Sequence, residues 1–173
     1  MAAQGFSIGE GQGHFVLGVA PVDIDAGAQT SDAFKMTNYS HATIIIALGV
    51  TGAASTVTVK ENTDASGSGA TAIAFSYYAE ETAAGDTTGA RTSATSSGFA
   101  TSTNDGVFYI IELNAEDLSD GSEWVTVHMS DPGAATFASI GVILSGARYA
   151  EVQAPTAIAV SYTHLTLPTI YSV

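Results

Sequence analysis

The sequence predicts an all-β fold, a single antiparallel β-sandwich, from three observations. Apolar residues recur with a period of two along most of the chain. Clusters of Gly, Asn, Asp and Pro, which favour turns, separate the apolar segments at short intervals. No long segment carries the 3.6-residue period of an amphipathic helix. We therefore expect about seven to nine short strands in a jelly-roll-like sandwich, with an immunoglobulin-like sandwich as the alternative.

The strand pattern is clearest in two neighbouring segments. Residues 43–48 contain three successive isoleucines, which predicts a strand buried on both faces. In residues 55–60 Val57 and Val59 alternate with polar residues, which predicts a strand with one wet face. We expect the Gly52 loop to join these two strands in a hairpin. The other predicted strands are 14–20, 70–79, 107–113, 124–129 and 139–149.

The alternation also predicts which side chains form the core. The expected core residues are Ile44, Ile46, Val57, Val59, Ile73, Phe75, Tyr109, Ile111, Val125, Val127, Val142 and Leu144. Residues 115–118 have the pattern of a helical turn that Asn114 caps. Residues 82–103 are almost wholly Ala, Gly, Thr and Ser, so we expect a long loop, or weak strands that order against a neighbouring subunit.

The composition excludes several classes of function. The 173 residues include 17 acids, only four Lys and Arg, and no cysteine, which gives a net charge of -13. Such a charge repels nucleic acids and anionic membranes. The longest apolar run, residues 44–48, is far too short to span a bilayer. We therefore expect neither nucleic acid nor a membrane among the partners.

The two ends of the chain are expected to lie outside the domain. We expect residues 1–13 to form a flexible N-terminal arm and residues 14–159 to form the β-sandwich. Residues 160–173 resemble the translation of a transposase mosaic end and a library adapter used in shotgun sequencing, because GTC TCT TAT ACA CAT CTG ACG CTG CCG ACG encodes Val160 to Thr169. Such a fusion scar is excluded from the fold, and we expect its removal to leave stability and assembly unchanged.

No group of residues predicts catalysis or a cofactor. Residues 9–14 contain alternating glycines but follow no predicted strand, so they do not form a phosphate-binding loop. His14, His41 and His128 do not lie at the spacing of metal ligands. We expect a non-enzymatic protein without a cofactor.

A calcium site is a minor alternative at one acidic turn. The acids Glu116, Asp117, Asp120 and Glu123 surround Gly121, but their spacing departs from that of an EF-hand. We interpret this segment as a solvated loop.

Two segments resemble small structural proteins of tailed bacteriophages that are encoded close to the major capsid gene. The first is Val22-Asp23-Ile24 followed by residues 30–39, and the second is residues 142–150, which end in Ala-Arg-Tyr-Ala. The similarity covers about residues 13–158. It implies a virion component, such as a head decoration or cement protein, and it does not by itself decide between head and tail. We expect a protein that is made in the host cytoplasm and located on the phage head.

The resemblance implies two kinds of partner. One is the major capsid protein, and the other is further copies of this chain, which would form a trimer. Arg148 and Tyr149 combine a guanidinium with an aromatic ring, the composition of an interface hot spot, although Arg148 would equally suit an ion pair with a local acid. Arg91 and an outward-facing Trp124 are further interface candidates. The alternative functions are a tail-associated protein or a carbohydrate- or surface-binding module, which would gather Tyr77, Tyr78 and Trp124 beside carboxylates in a groove.

Overall fold

The computed structural model describes residues 8, 13–25, 27–81, 85 and 87–148, and these form an all-β sandwich of two antiparallel sheets, as predicted. The expectations for the N-terminal arm up to residue 12, apart from Ile8, and for the tail 160–173 lie outside the described residues. The strands are β1 (Gly13–Asp23), β2 (Gln29–Thr30), β3 (Phe34–Lys35), β4 (Tyr39–Thr51), β5 (Thr56–Asn62), β6 (Thr71–Ile73), β7 (Phe75–Glu81), β8 (Thr92–Ala94), β9 (Phe99–Ala100), β10 (Val107–Asn114), β11 (Trp124–Met129) and β12 (Thr136–Ala147).

The strand order is that of a jelly roll. Sheet A has the order β1-β12-β4-β10-β7-β8, and sheet B has the order β2-β11-β5-β6, with β3 also paired to β11 and β9 to β5. The first and last described strands, β1 and β12, are therefore neighbours. The chain crosses between the sheets from β1 to β2, from β3 to β4 and from β4 to β5. This connectivity favours the jelly-roll-like prediction over the immunoglobulin-like alternative.

The predicted hairpin at Gly52 is wrong, because β4 and β5 belong to different sheets. The chain turns at Gly52 against the start of β12, where the Gly52 N–H donates to the Ala135 carbonyl at 2.8 Å. A Cβ atom at Gly52 would lie 2.7 Å from that carbonyl oxygen. The glycine therefore allows a close crossing between sheets rather than a tight turn within one sheet.

The core lies between the sheets and contains the predicted residues. All of them are buried except Ile73, which is partly buried and packs against the core. The core also contains side chains from segments where no core position was predicted, notably Ile24, Phe34 and Met36.

The described part of residues 82–103 forms weak strands within this chain rather than only against a neighbour. Strand β8 pairs with β7 at the edge of sheet A, and β9 pairs with β5 in sheet B. The Phe99 ring stacks on Tyr77 with 3.9 Å between ring centroids and lies 5.0 Å from the ring of Tyr109. These aromatic contacts give an otherwise small-residue segment enough buried surface to order.

The short turn after β10 was predicted correctly. Ala115–Asp117 is a 3-10 helix, and the Asn114 N–H donates to Asp117 Oδ2 at 2.8 Å. No helix among the described residues is long and apolar enough to cross a bilayer.

Candidate interaction surfaces

The outer face of sheet A carries a row of apolar side chains, which corrects the prediction for residues 43–48. Ile44 and Ile46 are fully buried, but Ile45 between them is only half-buried and points away from the core. Strand β4 is therefore covered by the core on one face alone. Its second apolar face has no partner within the described residues.

Neighbouring strands extend this apolar face across sheet A. One row of paired positions runs from Leu17 through Gly141, Ile45 and Ile110 to Tyr78. The row spans five strands, from β1 to β7, and contains no charged side chain. The most exposed large side chains of the face are Phe15 (54%), Leu17 (49%), Phe137 (47%) and Phe108 (41%).

Gly141 leaves space for the Phe15 ring on this face. A Cβ atom at Gly141 would lie 3.0 and 3.1 Å from two atoms of the Phe15 ring, which therefore rests directly on the glycine. The outer face around this row extends roughly 20 Å along the strands and roughly 20 Å across them, from the spacing of residues and strands in a sheet. The two adjacent rows mix apolar side chains with Thr43 and Glu112 on one side and with Ser139 and Glu80 on the other. An outer face of roughly 400 Å² that contains such an apolar row is in the size range of functional patches on soluble proteins.

Acidic and polar side chains border the apolar face. Glu80 and Glu112 lie on adjacent strands β7 and β10. Glu112 accepts hydrogen bonds from the Thr43 hydroxyl at 2.8 Å and contacts His41 Nε2 at 2.7 Å. A partner that covers the face therefore meets negative charge at this edge.

The outer face of sheet B is polar by contrast. Thr58, Lys60, Thr126 and His128 lie on the central strands β5 and β11. His128 Nδ1 lies 3.0 Å from the Thr30 hydroxyl. Partial burial, together with the nearby charge of Lys60, lowers the pKa of His128 below its ordinary value. A groove of about 660 Å³ runs across this face beside Lys60.

Two of the predicted interface residues lie at one end of the molecule. Arg148 is exposed and borders a cleft of about 160 Å³ together with Glu123. Trp124 faces outward, as predicted, with the Lys35 ammonium 5.5 Å from its ring centroid. Lys35 also pairs with Glu123 at 2.9 Å, and this pairing lowers the pKa of Glu123.

The local ion pair considered for Arg148 is not found among the described residues. Their two ion pairs are Lys35–Glu123 and His41–Glu112. The guanidinium of Arg148 takes part in neither. The backbone N–H of Arg148 donates to the Asn38 carbonyl at 2.9 Å. Tyr149, the other half of the predicted hot spot, lies outside the described residues.

Arg91 is separate from this cluster. It borders another cleft, of about 390 Å³, together with Tyr78, Glu112 and Asp117. Arg91 and Arg148 therefore border different clefts.

The aromatic residues named for a carbohydrate site do not gather. Tyr77 packs with Phe99 and Tyr109, whereas Tyr78 lies on the outer face of sheet A and Trp124 on that of sheet B. The groove that this alternative required from these three rings is absent from the described residues.

The histidines and acids considered as metal ligands are also dispersed. No group of three His, Cys, Asp or Glu among the described residues is placed to hold a metal ion. His41 Nδ1 contacts Asn114 Oδ1 at 2.9 Å, and the ring of His14 lies 6.2 Å from that of Tyr39. Of the acids in the turn after β10, Asp117 caps the 3-10 helix and Glu123 pairs with Lys35.

The apolar residues of the sheet A surface were not predicted as a site. A signal was present in β1, where Phe15, Val16 and Leu17 are all apolar, so that both faces of the strand carry large side chains. A strand at the edge of a sandwich has only one face on the core. This surplus of apolar residues was the sequence signal for apolar side chains on the outer face.

The comparisons with known proteins give no relative. No protein-family model, no curated protein and no solved structure matches the chain significantly. Function is therefore inferred from the two outer faces and from the resemblance seen in the sequence.

Proposed function

We propose that the chain is a non-enzymatic structural protein of a tailed-phage virion, a decoration protein that binds the head through the outer face of sheet A. The observation that carries the proposal is the exposed apolar row from Leu17 to Tyr78 across five strands. Burying apolar surface is the main driving force of protein association. A virion component that acts by contact alone needs such a surface and no catalytic group.

Charge favours the major capsid protein over a second copy as the partner on this face. The chain carries a net charge of -13, and Glu80 and Glu112 lie at the edge of the apolar face. Two copies docked through this face would bring like charges together. A complementary partner presents an apolar surface with basic side chains at its edge.

The size of the face implies additional contacts. Two patches of roughly 400 Å² bury about 800 Å² in total, whereas stable specific interfaces bury about 1,200 Å² or more. Exposed Arg148 at the strand end supplies one candidate for a further contact, to an acidic group of a neighbouring subunit. Self-association as a trimer across capsid subunit boundaries would supply more area.

Co-sedimentation tests this proposal. Capsids assembled from the major capsid protein encoded beside this gene are mixed with the purified chain, pelleted and assayed for occupancy. We expect saturable binding that Arg148→Ala and Tyr149→Ala weaken without changing the circular dichroism spectrum. A folded wild-type chain that stays in the supernatant, or that fractionates with purified tails, would refute the head assignment.

Sedimentation velocity of the free chain tests the trimer separately. We expect a trimer whose mass does not depend on the sheet A face, so that Leu17→Glu leaves it unchanged. A strictly monomeric chain at all concentrations would remove self-association from the proposal and leave the capsid contact to be judged on its own measurement.

A further inference from the structure

The groove on the outer face of sheet B contains a buried amide with an unpaired polar atom. Asn62 is fully buried, and its Nδ2 group donates to the Thr126 hydroxyl at 3.1 Å. The other amide atom, Oδ1, has no hydrogen-bond partner among the described residues. The Nδ2 group also lies 3.5 Å from the Lys60 carbonyl, so a rotated amide would lose this contact and bring Oδ1 against another acceptor. The buried Oδ1 atom of Asn62 therefore lacks a donor within the described residues.

The groove around Asn62 has the size and the polar lining of a ligand site. Its volume is about 660 Å³, within the range of small-molecule sites. One wall is formed by residues 30–33, and the other by residues of the turn after β5. Lys60, Asn62 and Thr126 form the floor between them.

The groups facing this groove are mixed in charge and in hydrogen-bonding type. The Lys60 ammonium takes part in neither of the two ion pairs of the described residues. Asp32 adds an exposed carboxylate, while Thr30, Ser66 and Thr126 add hydroxyl groups. An anion would suit Lys60 but not Asp32, and a cation would suit Asp32 but not Lys60. Hydroxyl groups of a ligand both donate and accept, so they suit every group present, including the Asn62 Oδ1 acceptor.

The wall after β5 is held in place before any ligand binds. Asp64 Oδ1 accepts from the Ser66 N–H at 2.9 Å, the Ser66 hydroxyl at 2.7 Å and the Ser68 N–H at 3.1 Å. These bonds lower the pKa of Asp64 to about 2, so the carboxylate remains an acceptor at any ordinary pH. Gly67 follows with a φ of 82°, and it places the backbone beside Asn62 Oδ1. A wall ordered in advance reduces the entropy lost on binding.

We propose that this groove binds a neutral saccharide, whose hydroxyl groups hydrogen-bond to Asn62, Lys60 and Asp32. The site is independent of the contact proposed for sheet A, since the outer faces of the two packed sheets point in opposite directions. A chain docked through sheet A would present the groove away from its partner. The ring cluster considered from the sequence, with Tyr77, Tyr78 and Trp124, takes no part in it.

Nuclear magnetic resonance of the full chain tests the groove with defined probes. Maltotriose, cellotriose, mannotriose and N-acetylchitotriose are titrated separately to about 10 mM, enough to detect a Kd of about 1 mM. We expect at least one of them to shift the amide signals of Lys60, Thr126 and Gly67. Inorganic phosphate and glycine serve as ionic probes. Shifts in the groove with an ionic probe alone, or with none of the saccharides, would overturn the proposal.

Two matched pairs of variants locate the binding. Ala70→Trp fills the groove from an exposed position, whereas Ala90→Trp places the same ring at an exposed position outside it. We expect Ala70→Trp to weaken saccharide binding at least tenfold and Ala90→Trp to leave it unchanged.

The second pair tests the wall after β5. Asp64→Ala should weaken saccharide binding severalfold by loosening the wall, whereas Asp64→Asn, which keeps an acceptor oxygen, should retain most of the wild-type affinity. Equal binding by Ala70→Trp and wild type would show that the saccharide binds elsewhere.

Discussion

The two outer faces of this sandwich differ although both sheets contribute the same kind of side chain to the core. On sheet B, Val57 and Val59 face the core, and Thr58 and Lys60 lie outside. On sheet A, Ile44 and Ile46 face the core, and Ile45 lies outside beside Ile110. A single exposed apolar residue costs a monomer little stability, but a continuous row of such residues is unusual on the surface of a soluble protein. The contrast supports the proposal that a partner covers sheet A, whereas the outer face of sheet B stays in contact with water.

The largest effect should separate the two faces of β4. Ile46→Asp should unfold the domain, because an unpaired carboxylate in the core costs several kcal/mol against a total stability of about 5–15 kcal/mol. Ile45→Asp, one residue earlier on the outer face, should leave the chain folded with a lower melting temperature. Circular dichroism and thermal melting measure both. Equal unfolding by the two variants would mean that the outer face is covered within the chain itself.

The core-facing residues of both sheets were predicted from the sequence, but the exposed apolar row on sheet A was not. Alternation identified the core because core positions must be apolar in any sandwich, and Val125 and Val127 follow that rule. An isoleucine at position 45 satisfies the pattern of a strand buried on both faces, whether the second face meets a sheet or another protein. The segment itself carries no signal that distinguishes these cases.

Other features depended on contacts distant in sequence. The crossing at Gly52 is set by Ala135, and the order of β9 by Tyr77 and Tyr109. The groove on sheet B combines Asp32 with Lys60 and Thr126, which lie on three separate segments of the chain. Local periodicity contains no information on such pairings, so the groove could not be predicted from the sequence.

A charge on each outer face should affect capsid binding unequally. Leu17→Glu places a carboxylate in the apolar row of sheet A, and Thr56→Glu places one at an exposed position of sheet B. We expect Leu17→Glu to reduce capsid affinity about 10- to 100-fold, as for the loss of an interface contact of about 1–3 kcal/mol. Thr56→Glu should change it less than about threefold. A reversed order of the two effects in the co-sedimentation assay would assign the contact to sheet B.

A smaller change should displace only the Phe15 ring on the outer face of sheet A. Gly141→Ala brings a methyl group to 3.0 Å from the Phe15 ring, which must shift by a few tenths of an ångström. We expect thermal stability to change by less than about 1 kcal/mol, because the exposed ring is free to move. Capsid affinity should fall severalfold. Unchanged affinity would show that the position of Phe15 does not matter for the contact.

On sheet B, His128 should make stability depend on pH. Its pKa in the folded chain is lowered from 6.5, so the unfolded chain binds a proton first as the pH falls. The contribution of His128 is therefore fully present above about pH 6.5 and decreases as the pH falls toward the folded pKa. His128→Gln should reduce the loss of melting temperature between about pH 7.5 and pH 5. Lys60→Gln should reduce this loss of melting temperature in part. Identical pH profiles of the wild type, His128→Gln and Lys60→Gln would contradict this interpretation.

The smallest effect is expected at the C-terminal end of the chain. Deleting residues 160–173 should leave the melting temperature and capsid affinity unchanged, as expected for a segment with no role in the fold. The same deletion tests whether these residues cover the apolar face. If residues 160–173 cover the apolar face, the deletion should increase the binding of a hydrophobic dye, whereas Leu17→Glu should not.

The orientation of the chain on the head tests the central claim most directly. Electron cryo-microscopy of capsids decorated with the purified chain would resolve which sheet contacts the capsid protein. We predict that Phe15, Leu17, Phe108 and Phe137 lie buried in the contact, with Lys60 and Asn62 facing outward. A chain bound through sheet B, with the Leu17 to Tyr78 row exposed to water, would contradict the account.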